Sequence, residues 1–284
     1  MRATYIPKKM EPLSYPDRID FGCGVRSRHS IEDALNALTA VSVYSDYLYY
    51  SPLGLFHYGR DAYRLPRYVF LGPAASDEPV KLGLFAALHG DEPEGTRALV
   101  EFLMRLHLEP ERARGYQIFV YPICNPTGFE DGTTNTRRGH DLLSEVWASS
   151  KQPEAYYLER ELGVLQFHGV IRLHSRENTN VIHAGVVSPT LNKSLAQPAL
   201  KAAEKFLPRD KTPDGGHIVP DTTVARNRYR GGLSNPAELK PAPFELTFET
   251  PRKAPPELQK SAAVIALNRI IEEYRPFLAS HQNI

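Results

Sequence analysis

The chain has 284 residues, 42% of them hydrophobic and 24% charged, the composition of an ordinary globular protein with enough apolar material for a sizeable core. A formal net charge of +1 supplies no global field for nucleic acid or an anionic membrane, so neither is expected as a partner and any charge selectivity has to be local. Two cysteines, Cys23 and Cys124, exclude a disulfide framework or a cysteine-based zinc knuckle; with neither a signal-peptide pattern nor an 18-residue apolar run, the expected location is the cytoplasm.

Residues 1 to about 28 are Pro-rich and irregular, and Ser30 then stands as an N-cap before "IEDALNALTAVSV", whose apolar spacing predicts a helix. Short aromatic and β-branched runs follow in "YLYYSPLGLFHYG", "YRLPRYVFLG" and "VKLGLFAAL", separated by Gly, Pro and charged turns, and these predict strands. A helix is expected from Pro93 to about Leu106, then a strand in "YQIFVYPIC", a polar loop from Asn125 to about Ser150, and a helix near Glu154 to Leu162. Next come a buried strand in "GVIRLHS", a helix in "NKSLAQPALKAAEKFL", a long Gly/Pro-rich excursion suited to covering a substrate, a strand in "APFELTFET", and a long closing helix started by Pro255 and Pro256. Strands alternating with helices imply an α/β fold, a mixed but mostly parallel central sheet flanked by helices, in a single domain spanning 1–284.

In such a sheet, ligands sit beyond the carboxyl ends of the strands, which is where the apolar run ending at Leu88 delivers "HGDEPEG". The i, i+3 spacing of His89 and Glu92 in a strand-to-helix turn can aim an imidazole and a carboxylate at one point, as two of the three protein ligands of a catalytic zinc. His174 is the natural third, because it ends the buried run "VIRLHS" as His89 ends its own. Such chemistry also needs a carboxylate beside the metal that does not ligate it. Glu249, at the end of "FELTFETP", fits, although Glu245 and Thr247 share its face by strand alternation.

"HGDE", "NPTG", "HS" and "TFETP", in this order, resemble the zinc carboxypeptidase family together with its succinylglutamate desuccinylase and aspartoacylase relatives, over roughly residues 75 to 275. The resemblance implies one zinc per chain, held by His89, Glu92 and His174 with a fourth position open to water, and Glu249 as general base. It implies substrate contacts from the segment beginning at Asn125, and from Tyr229 in "ARNRYRGG". Asn125, Pro126, Gly128, Asp141 and Leu142 match the family's "NPDG" and "DL" residues, whereas Leu143 and Ser144 stand where the family has an Asn-Arg pair for the substrate's carboxylate. Arg138, with Arg137 second, is expected to take over that role and to stabilise the developing oxyanion, with Arg226, Arg228 and Arg230 as a supplement. Asp91 is expected to orient His89 or its neighbours. The implied function is a zinc-dependent metallopeptidase acting on a small peptide. Its alternatives are an N-acyl amino acid deacylase and a metal-binding protein that has lost catalysis.

Overall fold

The computed structural model describes residues 29–74, 78–186, 188–212, 233 and 243–281. Helix α1 (Ile31–Ser42) begins as expected, with the Ser30 hydroxyl accepting the Asp33 N–H, a cap worth about 1 kcal/mol. Strands β1 (Leu48–Tyr50), β2 (Leu53–Tyr58), β3 (Asp61–Leu65), β4 (Tyr68–Leu71) and β5 (Val80–Phe85) follow, then α2 (Pro93–Leu108) and β6 (Tyr116–Tyr121). The stretch expected as one polar loop contains two short helices, α3 (Pro126–Asp131) and α4 (Leu142–Glu145). Each is started by a side-chain cap, Asn125 in the first and Asp141 in the second, a short-range signal that hydrophobic periodicity does not register. Helix α5 (Pro153–Leu165) leads to β7 (Gly169–Arg176) and to β8 (His183–Val186), a strand too short to announce itself in sequence.

The helix expected in "NKSLAQPALKAAEKFL" is interrupted. A single turn, α6 (Pro189–Leu191), runs into a π-turn over Asn192–Ala196 before α7 (Gln197–Ala203). Pro198 has no N–H for an i to i−4 bond, and the Gln197 N–H instead reaches the Asn192 carbonyl. Strand β9 (Phe244–Pro251) and α8 (Pro256–His281) complete the order.

The described residues form a seven-stranded sheet in the order β1-β4-β6-β5-β7-β9-β8, with β2 and β3 as a separate hairpin. The four central strands β6, β5, β7 and β9 are parallel, and the flanking pairings β1/β4, β4/β6 and β9/β8 are antiparallel. This is the mixed, mostly parallel sheet that the alternation predicts. Side-chain alternation splits the core in two: Leu82, Leu84, Ile171, Leu173, Leu246 and Phe248 pack on the side of α1, α2, α7 and α8. Phe85, Phe119, Tyr121 and Val170 pack on the other side, under the β2–β3 hairpin, α4 and α5. Chain order reverses direction across the sheet between β5 and β7, the switch point at which parallel sheets open a crevice at their carboxyl ends. No helix among the described residues is long and apolar enough to cross a membrane.

Candidate metal centre

Beyond β5 the backbone turns sharply at Ala87, whose φ of +46° is costly for a residue with a Cβ and belongs to a held, functional turn more often than to a relaxed loop. The turn is held by the segment after β6, since the Ala86 and Ala87 carbonyls accept the N–H groups of Cys124 and Asn125. It delivers His89 to the crevice and lets Glu92 start α2. Gly90 then meets Gly128 of "NPTG" so closely that a Cβ on Gly90 would lie 1.9 Å from the Gly128 carbonyl carbon. Two of the sequence motifs are therefore in backbone contact, which is the physical reason for a glycine at position 90, while a Cβ on Gly128 would meet the Asn125 side chain and the Asn135 carbonyl oxygen. Gly90→Ala is expected to destabilise the protein by about 1–3 kcal/mol, the usual scale of overpacking, and to weaken metal binding by displacing the ligand turn. Denaturation midpoints and metal titration check this, and an unchanged midpoint would refute it.

His89, Glu92 and His174 come together as a group whose ligand atoms all lie within 4.8 Å of one another. The Glu92 carboxylate sits between the rings, with Oε1 2.8 Å from His89 Nδ1 and Oε2 3.2 Å from His174 Nδ1, and it also accepts the Ser175 N–H at 2.9 Å. Burial by itself would raise the pKa of Glu92, which is only 4% exposed, but hydrogen bonds from His174 and His89 outweigh it and bring the carboxyl to about 2. Contacts with Asp141 and then Glu92 raise His89 to about 10, and the same His89 contact lowers Asp141 to about 2. Metal ion and protons compete for such a set.

The donor set fits a divalent metal on two counts. Two ligands each 2.0–2.1 Å from a tetrahedral zinc are about 3.3 Å apart, and the ligand atoms here all lie within 4.8 Å of one another. In addition, His174 Nε2 is buried without a hydrogen-bond partner among the described residues, leaving the ring unsatisfied.

Glu249 lies beside this group because β9 runs parallel to β7 in a register that pairs it with His174. Its partner is Arg176, with Nη1 3.3 Å from Oε2. Glu245, on the same face, is taken up by Arg172, whose Nε lies 2.6 Å from Oε1. Asp91, expected to orient His89 or its neighbours, does not bond His89 itself. It accepts the Thr134 hydroxyl at 2.9 Å and forms an ion pair with Arg252, tying the end of β9 to the ligand turn, while Asp141 Oδ1 stands 3.7 Å from His89 Nε2. Asp141 also caps α4, so the acid that faces His89 is fixed by its own helix.

The remaining expected residues are distributed unevenly. Asn125 is fully buried; its amide caps α3 through the Gly128 N–H and donates to the Thr134 carbonyl. The Arg137 guanidinium is committed to Asp131 through two bonds and to Asp61 through a third, 2.9 Å long. Arg138 rests over the Tyr58 ring at 4.8 Å; the Tyr58 hydroxyl donates to the buried Glu154. Burial raises the pKa of Glu154. Leu143 is buried and the Ser144 hydroxyl donates to Asp141, so neither offers an anion a cationic partner. Tyr229, Arg226, Arg228 and Arg230, together with residues 1–28, lie outside the described residues. Arg176 was not anticipated, although strand alternation two residues after His174 places it on the ligand face and could have found it.

No family model matches the sequence, and no curated protein matches it. Among solved structures, a metallo-carboxypeptidase from Burkholderia cenocepacia superposes with a TM-score of 0.67 at 15% identity, over 88% of this chain and 70% of that one. A metallo-carboxypeptidase from Pseudomonas aeruginosa, in complex with (2-guanidinoethylmercapto)succinic acid, gives 0.63 at 16% identity over 87% and 69%. The product-bound ectoine utilization protein EutE (DoeB) from Ruegeria pomeroyi gives 0.50 at 17% identity over 80% and 66%. At these identities the likeness is one of fold: the chain has the metallocarboxypeptidase-like fold, with a His-Glu-His group able to hold a metal ion at the carboxyl ends of its parallel strands.

Proposed function

We propose that the protein is a zinc-dependent hydrolase of amide bonds, a carboxypeptidase-like metallopeptidase. The observation that carries the reading is the convergence of His89, Glu92 and His174 with a fourth side chain, Glu249, paired to His174 in the sheet but engaged by Arg176 rather than by the ligand group. Zinc suits two imidazoles and one carboxylate better than calcium or magnesium, which prefer all-oxygen shells. When bound, the ion would polarise the scissile carbonyl and acidify a water. The residues supply the rest. Glu249 takes the proton of the attacking water and returns it to the leaving amine. Arg138, the less committed of the neighbouring pair, donates to the developing oxyanion, since Arg137 is held by Asp131 and Asp61. Asn125 shapes the substrate side of the pocket through the turn it caps.

A second reading, an N-acyl amino acid deacylase, uses the same site and base. Leu143 and Ser144, which present no guanidinium to a terminal carboxylate, weaken the peptidase reading without selecting this one. The Pseudomonas aeruginosa neighbour was solved with a succinic acid derivative, and a small carboxylate-bearing substrate is part of both readings.

The test is metal analysis followed by hydrolysis of C-terminally free peptides, their amides, and N-acyl amino acids. About one zinc per chain and hydrolysis abolished by chelation and restored by zinc are expected. Hydrolysis indifferent to chelation would overturn the proposal, and the preferred substrate series separates peptidase from deacylase.

A further inference from the structure

Among the described residues, five arginines come close to the crevice, and four are already engaged. Arg137 is held by Asp131 and Asp61, Arg172 by Glu245 and Thr247, and Arg252 by Asp91 and Glu177, while Arg138 stands over the Tyr58 ring. Arg176 differs. It follows His174 by two residues in β7, on the same sheet face, and its guanidinium reaches over the parallel neighbour strand to a single carboxylate oxygen of Glu249, 3.3 Å away. The side chain is 42% exposed, and of its five N–H donors the hydrogen bond to Glu249 uses one. Exposed, single-bond ion pairs are weak and readily exchanged, whereas a bidentate guanidinium–carboxylate pair is strong and directional. Asp210, the other acid that feels the Arg176 charge, is turned to His183 and to the Thr212 N–H.

We propose that Arg176 is the specificity residue of this site, binding the carboxylate of an anionic ligand, and that its pair with Glu249 is a latch which the ligand opens. In the free protein the guanidinium occupies the carboxylate of Glu249. An incoming carboxylate takes the guanidinium in a two-point contact and leaves Glu249 free to meet water. An uncharged ligand of the same shape cannot make that exchange, so discrimination and release of the base are one event. The inference rests on the reading of Glu249 as base, but its binding component does not need turnover.

The experiment measures binding of N-acetyl-alanine, N-acetyl-leucine and N-acetyl-phenylalanine, each beside its primary amide, to the zinc-loaded full chain by calorimetry. Wild type, Arg176→Gln, Arg176→Lys, Glu249→Gln, Arg138→Ala and the Arg176→Gln/Glu249→Gln double variant are compared. Wild type is expected to prefer acid over amide, and Arg176→Gln to lose about ten- to a hundredfold of acid binding with little change for the amide. Arg176→Lys should restore little of it, because the planar fork is gone. Glu249→Gln should tighten acid binding by about two- to fivefold, the scale of an exposed ion pair, and the double variant should show no such gain over Arg176→Gln.

No acid preference in wild type, or a preference that survives Arg176→Gln or vanishes only in Arg138→Ala, would overturn the assignment. Tightening that persists in the double variant would reflect relieved repulsion between carboxylates and would overturn the latch. Unchanged zinc content and melting temperature in Arg176→Gln show that a lost preference is not a folding defect. If Glu249→Gln instead turned over normally, the base assignment would fall while the acid-to-amide ratios still decided Arg176.

Discussion

Glu249→Gln is expected to leave metal binding and fold intact and to lower turnover by roughly two to four orders of magnitude, the scale of a positioned acid–base group. The amide keeps the shape of the side chain and its place in β9, whose eight-residue register with β7 does not depend on the charge. What it loses is the capacity to accept a proton. The loss should appear in kcat more than in KM, because the proton moves only as the transition state forms. Single-turnover kinetics with a metal assay on the same sample would check this. Near wild-type turnover would move the base elsewhere, and Glu245 is poorly placed to inherit the role because Arg172 holds it at 2.6 Å. Glu177, exposed beyond the end of β7, would be next.

The second large effect is expected from the ligands. Alanine at His89, Glu92 or His174 should each strip the metal, with losses of affinity well beyond the roughly ten- to hundredfold that follows removal of a supporting contact around a metal site. Glu92 should be the most severe. It is the most buried of the three and accepts both imidazoles and the Ser175 N–H, so Glu92→Ala removes a ligand and leaves three polar groups short of a partner. A fall in stability should accompany the loss of metal there. His174→Ala should cost less stability, since one ring nitrogen is already unpartnered. Atomic absorption and thermal melts on the three variants would check the order, and one equivalent of metal retained in all three would show that the ligand set is wrong.

Much of the fold was legible because it is written in short-range patterns. Near-continuous apolar runs in "VKLGLF", "YQIFVY" and "GVIRLHS" mark strands buried on both faces, and each proves to be a central parallel strand. The Ser30 cap and the Pro-initiated α2 and α8 are equally local. The misses have a common cause. The caps that create α3 and α4 are single side chains rather than periodic runs, β8 is four residues long, and the π-turn at Asn192–Ala196 depends on one absent N–H.

The sequence by itself determined the types of the long elements, the faces that His174 and Glu249 occupy in their strands, and the residue types gathered near a strand-to-helix turn, because all of these follow from spacing within a few residues. Only the tertiary structure decided which strands are neighbours, and hence that Glu249 lies opposite His174 and that Arg176 reaches it across 73 positions of chain. It also decided that Gly90 must pass Gly128, that Asp141 rather than Asp91 faces His89, and that Arg137 is consumed by Asp131 and Asp61. Charge and hydrogen-bond capacity are properties of a residue, but whether they remain available to a ligand depends on partners brought in from distant segments. Local periodicity carries no information about those partners.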